Sequence, residues 1–151
     1  MIEQEEINKQ LKNTTKFLHI LSENTQDYKG KYGEVIINAP KIYKLLCKLL
    51  ESENIYKKDR HKISSTIAYF ILPKDIYPEE EFGAKGYIDD IYLCLYILNE
   101  IKEKYGMKEI LHYWDSEPEL LLKLLEEDYR KLDEKLKHIL QEMLDYVGIH
   151  E

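Results

Sequence analysis

The sequence predicts an all-α protein: a compact bundle of about five to six helices, with a Pro/Gly-rich loop inside a central helical hairpin and a long C-terminal helix. Three observations predict it. Apolar residues recur at spacings of three and four along most of the chain, and the β-branched run Val35, Ile36, Ile37 is too short to make a sheet. Breakers gather in one stretch, at Pro73, Pro78, Gly83 and Gly86. With 44% hydrophobic and 34% charged residues, 151 residues supply the core and the solvated surface of one ordinary helical domain spanning 1–151.

The first helix is expected over 3–22, with Ile7, Leu11, Leu18 and Leu21 on a stripe that needs a partner. Residues 24–33 are polar and carry Gly30 and Gly33, which reads as a loop. Asn38 then stands as an N-cap before Ala39 and Pro40, and Ile42, Leu45, Leu46, Leu49 and Leu50 form a strongly apolar face. A third helix begins near Lys57 and turns Ile63, Ile67, Phe70 and Ile71 inward until Pro73 stops it. After the breakers of 72–86, helical periodicity resumes over 87–105 and ends at Gly106, so 63–98 forms a helix-loop-helix unit.

A short helix over 107–114 leads to Ser116 and Glu119, which are spaced as a capping box with Pro118 in the first turn. The last helix is expected over 116–147, stopped by Gly148. Its Leu122, Leu125, Tyr129, Leu132, Leu136, Ile139, Met143 and Tyr146 alternate spacings of three and four, a heptad seam. Acid-before-base pairs four apart (Glu119 with Lys123, Glu126 with Arg130, Glu127 with Lys131, Asp133 with Lys137) each add only tenths of a kcal/mol. Such a helix would approach about 45 Å, so its seam either faces another chain in self-association or packs on the earlier helices.

Composition excludes several functions. Twenty-nine Asp and Glu against 22 Lys and Arg give a net charge of −7, which repels nucleic acid at long range. The local exception, Lys57, Lys58, Arg60, His61 and Lys62 around Asp59, reads as the solvated start of a helix. Glu3, Glu5 and Glu6 stand where an export signal carries positive charge, and the longest uncharged stretch, 63–73, is well short of the roughly 20 residues that span a bilayer. A cytoplasmic protein without a transmembrane segment is expected. Cys47 and Cys94 each lie beside leucines and read as small buried hydrophobes in a reducing compartment.

Catalytic signatures are not visible. His19, His61, His112, His138 and His150 are scattered and read as surface residues. Gly83 and Gly86 lead into acids that would repel a phosphate, so a P-loop is excluded. The distinctive stretch is Tyr69-Phe-Ile-Leu-Pro73-Lys-Asp75-Ile-Tyr-Pro78-Glu-Glu-Glu-Phe-Gly83-Ala-Lys-Gly86-Tyr87-Ile-Asp89-Asp90. Its carboxylates Asp75, Glu79, Glu80, Glu81, Asp89 and Asp90 are the oxygen ligands a hard divalent cation prefers, although their spacing is not that of an EF-hand. If a cation binds, Asp75, Asp89 and Asp90 are the expected ligands. The structural reading is stronger: Asp75 holds a turn after Pro73, Asp89 and Asp90 suit the positive first turn of the next helix, and Glu79 to Glu81 form a solvated face. A partner-binding acidic surface is the third reading. Tyr69, Tyr77, Tyr87, Tyr92 and Tyr96 cluster around the motif and read as core and rim.

The order Pro73, Asp75, Pro78, Gly86, Tyr87, Asp89, Asp90, following a tyrosine-bearing helix end, resembles the YkvA-like domain family of unknown function. The resemblance covers 63–98 and departs from some relatives in having Glu79 to Phe82 before Gly83. It implies a helical fold and no mechanism. On the residues themselves, the chain reads as a non-catalytic interaction or scaffold module that uses the motif hairpin and the long last helix to hold a protein partner or a second copy, with no cofactor expected. The alternative is a metal-dependent hydrolase whose motif carboxylates hold a cation that activates water.

Overall fold

The computed structural model describes residues 16, 18–23, 25–26, 32–71 and 88–149, and every regular element among them is helical. They are α1 (Gly33–Ile37), α2 (Ala39–Leu49), α3 (Lys57–Ile71), α4 (Ile88–Tyr105), α5 (Met107–Tyr113) and a C-terminal run from Pro118 to Val147. Residues 18–23 are also helical, with Leu21 buried as its stripe requires. The rest of the expected first helix lies outside the described residues.

The middle of the bundle is α4. Ile88, Ile91, Tyr92, Leu93, Cys94, Leu95, Ile97, Leu98 and Ile101 are all buried, covering every side of the helix. A helix apolar all round must be surrounded. Accordingly α1, α2, α3, α5 and the C-terminal run all touch it, and its contact with α3 is the most extensive in the fold. Each fully buried Leu or Ile contributes about 1.5–3 kcal/mol over an exposed one, so this central row is a large share of the burial that stabilises the bundle.

The flanking helices behave as their periodicity requires. In α2, Ile42, Leu45, Leu46 and Leu49 are buried, and in α3 so are Ile63, Ile67 and Phe70. Tyr43 joins the two helices by meeting the Phe70 ring edge-on, with centroids 5.6 Å apart. One local expectation holds in a form the sequence did not specify, and one is corrected. Val35 to Ile37 belong to the short helix α1, entered by Tyr32 in the left-handed region at φ 65°. Asn38 occupies the N-cap position of α2, but its side chain turns back and its Nδ2 donates to the Glu34 carbonyl at 2.8 Å, tying off α1 instead.

The last helix also starts differently from its capping-box pattern. Glu117 sits at the N-cap with no side-chain cap, while Ser116 Oγ accepts from Lys41 Nζ at 3.2 Å. The helix ends as expected: Gly148 is left-handed at φ 79°, its N–H donates to the Asp145 carbonyl and that of Ile149 to the Leu144 carbonyl, with Ile149 buried against the core. This is a Schellman closure.

Between these ends the helix is not uniform. Pro118–Lys123 (α6) passes into a π turn at Leu124–Asp128, then α7 (Tyr129–Leu136), a 3-10 turn at Lys137–Ile139 and α8 (Leu140–Val147). After the π turn the seam holds over Leu132, Leu136, Ile139 and Met143, which are buried, while Tyr129 is half-buried and Tyr146 at the far end is exposed. Before the π turn Leu121 is buried and Leu122 is 40% exposed, and within it the buried positions are Leu124, Leu125 and Asp128. A π turn closes i to i+5 and so takes up an extra residue, which shifts the upstream face by one position.

Among the expected ion pairs, Glu127 with Lys131 forms at 3.5 Å, whereas Lys123 crosses to Glu34 on α1. No helix among the described residues is long and apolar enough to cross a membrane.

Candidate functional site

Of the nine motif residues singled out, Tyr69, Asp89 and Asp90 are described; Pro73, Asp75, Pro78, Gly83, Gly86 and Tyr87 lie outside the described residues. Tyr69 sits near the end of α3, and Asp89 and Asp90 fall in the first turn of α4. The two carboxylates are 0% and 1% exposed. Tyr69 is itself buried, and its hydroxyl donates to Asp89 Oδ2 at 3.1 Å. The motif therefore ties the end of one core helix to the start of the next through a polar bond inside the core.

Two features make this burial tolerable. The N–H groups of the first helical turn carry partial positive charge, which favours a carboxylate there by about 0.3–1 kcal/mol and more when partly buried. A buried hydroxyl and a buried carboxylate also satisfy one another, where either alone would carry a desolvation penalty of about 1–3 kcal/mol or more. Over this pair, Tyr146 of α8 meets the Tyr69 ring edge-on at 5.6 Å while remaining 58% exposed. The last helix thus touches the motif on one side and solvent on the other.

Cys47 and Cys94 are both free thiols, and Cys94 lies within electrostatic range of Asp89. Burial pushes the Cys94 thiol well above its ordinary range, with the negative character of Cys47 and Asp89 adding to the effect. Burial likewise raises Cys47, to about 11, partly offset by its hydrogen bond with Tyr43. Thiols held protonated in this way are poor nucleophiles. His19, His61, His112 and His138 are exposed, as their scatter suggested, and no group of three or more His, Cys, Asp and Glu among the described residues is arranged to hold a metal ion.

Other polar groups in the fold were not signalled by any motif. Asp59 interrupts the basic run at the start of α3; it is buried and accepts from Lys104 Nζ at 2.6 Å and from the Tyr105 hydroxyl at 2.5 Å. Burial alone would raise its carboxyl, but the bonds from Lys104 and Tyr105 hold it below the ordinary value. Tyr92, wholly buried in α4, donates to Asp133 Oδ1 at 2.5 Å and stacks on Tyr129 at 5.7 Å. These bonds latch α3 to α4 and α4 to α7. A charge interrupting an unlike run, as Asp59 does, was the one available sign.

Comparison with known proteins agrees with the motif. Residues 61–96 match the model of a family described as "Protein of unknown function (DUF1232)", which is consistent with the YkvA-like resemblance read over 63–98. The chain is also similar to "Uncharacterized protein ORF9" of Methanothermobacter thermautotrophicus, at 28% identity over 130 residues, covering 86% of this chain and 88% of that protein. No solved structure matches.

Proposed function

We propose that the chain is a non-catalytic interaction module, whose motif braces a helical scaffold and whose C-terminal helix offers the surface that a protein partner or a second copy contacts. The observation that carries this reading is the burial of Asp89 and Asp90, with Asp89 bonded to Tyr69 inside the core. A catalytic cation needs an open position for water or substrate, whereas carboxylates in the core serve the fold. The C-terminal helix carries two of the exposed large apolar groups among the described residues, Leu122 near its start and Tyr146 near its end. The net charge of −7 disfavours nucleic acid as the partner.

The test is the mass of the protein in solution across a concentration series, for the wild type and for Leu122→Glu and Tyr146→Glu. Mass rising with concentration, and lost in either variant, is expected. A constant monomer mass in the wild type removes self-association and leaves only a different protein partner.

A second reading, a metal-dependent hydrolase with Asp75, Asp89 and Asp90 as ligands, draws on the same burial, because two adjacent buried carboxylates are also stabilised by a nearby cation. A thermal melt of metal-stripped protein with Mg²⁺, Mn²⁺, Ca²⁺ and Zn²⁺ separates the two. A metal-specific rise that Asp75→Asn and Asp89→Asn abolish would overturn the scaffold reading.

A further inference from the structure

A cleft of 220 Å³ lies away from the motif, where Lys41, Lys44 and Leu45 of α2 face Tyr113 to Ser116 at the end of α5 and in the link to α6. Its charge is one-sided. Lys41, Lys44 and Lys48 fall on one stripe of α2, at spacings of three and four. The carboxylate among them is Asp115, which Lys44 and Lys48 share at 3.0 and 2.5 Å.

The neighbouring acids are engaged elsewhere or stand apart. Glu34 is held by Lys123, and Glu109 of α5 by Ser52 and Asn54. Glu51 and Glu117, the nearest acids along the two segments, pair with none of the three lysines. Three ammonium groups therefore meet one carboxylate, on a chain whose net charge is −7. The bonds from Lys48 and Lys44 hold the Asp115 carboxyl below its ordinary value, as such a field requires.

Two donors converge in the cleft. Lys41 has no carboxylate, and its Nζ donates to Ser116 Oγ at 3.2 Å. Ser116 accepts that bond and keeps its own O–H to give. An ammonium and a hydroxyl side by side match the two oxygens of one carboxylate. Beside them the wall is apolar: Leu45 and Trp114 are buried, and Trp114 Nε1 is already committed to the Glu117 carbonyl at 2.8 Å, so the indole brings ring surface and no donor.

The lining narrows the ligand. A cation meets three ammonium groups. A phosphate dianion uses the lysines but leaves the rings uncovered and meets the Asp115 charge. A monocarboxylate with one ring or a short alkyl chain uses both kinds of wall and suits the size of the cleft.

We infer that this cleft binds a small organic monocarboxylate, with its oxygens on Lys41 and Ser116 and its apolar body on Leu45, Tyr113 and Trp114. The site is independent of the scaffold reading and of the motif.

The test is a titration of the full chain with phenylacetate and with hexanoate at fixed pH and ionic strength. It is followed by amide resonances and by the indole N–H resonance of Trp114, the one tryptophan of the chain. Saturable shifts at Leu45, Trp114 and Ser116 are expected. Phenylacetamide, which loses the charge, acetate, which loses the body, and inorganic phosphate should each bind about tenfold more weakly or worse. Lys41→Gln should weaken phenylacetate binding by a similar factor, while Lys131→Gln, which removes the same charge elsewhere, should stay within twofold of wild type. Shifts that do not saturate, phenylacetamide binding as tightly as phenylacetate, or full affinity in Lys41→Gln would overturn the inference. So would tighter binding of an acetylated tetrapeptide ending in phenylalanine, which would make the site one for a protein C-terminus. The wild-type titrations alone decide all but the variant arm.

Discussion

Replacing Tyr69 by Phe removes one hydroxyl from the core and leaves the ring, with its edge contact to Tyr146, in place. What is lost is the donor to Asp89 Oδ2 at 3.1 Å, on a carboxylate that water does not reach. A hydrogen bond to a charged group contributes about 1.5–3 kcal/mol, and leaving its acceptor buried forfeits the upper part of that range. Tyr69→Phe should therefore destabilise by about 2 kcal/mol, which for a chain of this length lowers Tm by about 4–8 °C. The assay is urea and thermal unfolding of Tyr69→Phe, Asp89→Asn and the double variant. A coupling energy of about 1 kcal/mol or more is expected, because once one partner is gone the other has less to lose. Additive effects, or a Tyr69→Phe protein within about 0.5 kcal/mol of wild type, would refute the view that the motif acids brace α3 against α4.

Asp59→Asn should lower stability at neutral pH by at least the roughly 1 kcal/mol of the Tyr105 bond. Because the Asp59 carboxyl is held below its ordinary value, its contribution is present above the ordinary carboxylate range and fades as pH falls through the folded value, so urea midpoints of variant and wild type should converge in acid. Asp128→Leu should do the opposite and raise stability by about 1–3 kcal/mol, since it removes an unsatisfied buried acceptor. The Asp128 carboxyl is raised, so the folded state holds its proton longer than the unfolded state; the advantage of the leucine should grow as pH rises through that window, and an advantage independent of pH would contradict it. Cys94, buried and raised, should resist iodoacetamide until the protein unfolds, with mass spectrometry of native and urea-treated protein as the check.

Helix identity and the core were legible because they rest on periodicity. The positions Ile42, Leu45, Leu46 and Leu49, or Ile63, Ile67 and Phe70, share a face only in a helix, and they are the ones buried. The stop at Gly148 was legible because that residue takes a backbone conformation that suits glycine. Caps were less legible. Asn38 and Ser116 have side chains that serve several acceptors and donors equally well, and the backbone carbonyl of Glu34 one turn back and the tertiary neighbour Lys41 decided between them.

The candidate site was legible in part. Tyr69, Asp89 and Asp90 stood out as a motif, but that Tyr69 and Asp89 bond to each other depends on how α3 meets α4, which spacing alone does not state. Asp128 was invisible for a different reason. Read as an ordinary α-helix, the seam ran through Leu122, Leu125 and Tyr129 and put position 128 outside, and nothing in Leu124 to Asp128 announces a π turn.

That π turn makes the last helix read like a gene with a single-codon insertion that has been retained. Removing one residue from 124–128 would restore plain α geometry, rotate everything upstream by about 100°, and bring Leu122 inward at the expense of Leu121. It would also sever the link between Lys123 and Glu34 that holds α6 against α1. The two halves of the helix are thus indexed to different neighbours, α6 to α1 through Lys123 and α7 to α4 through Asp133.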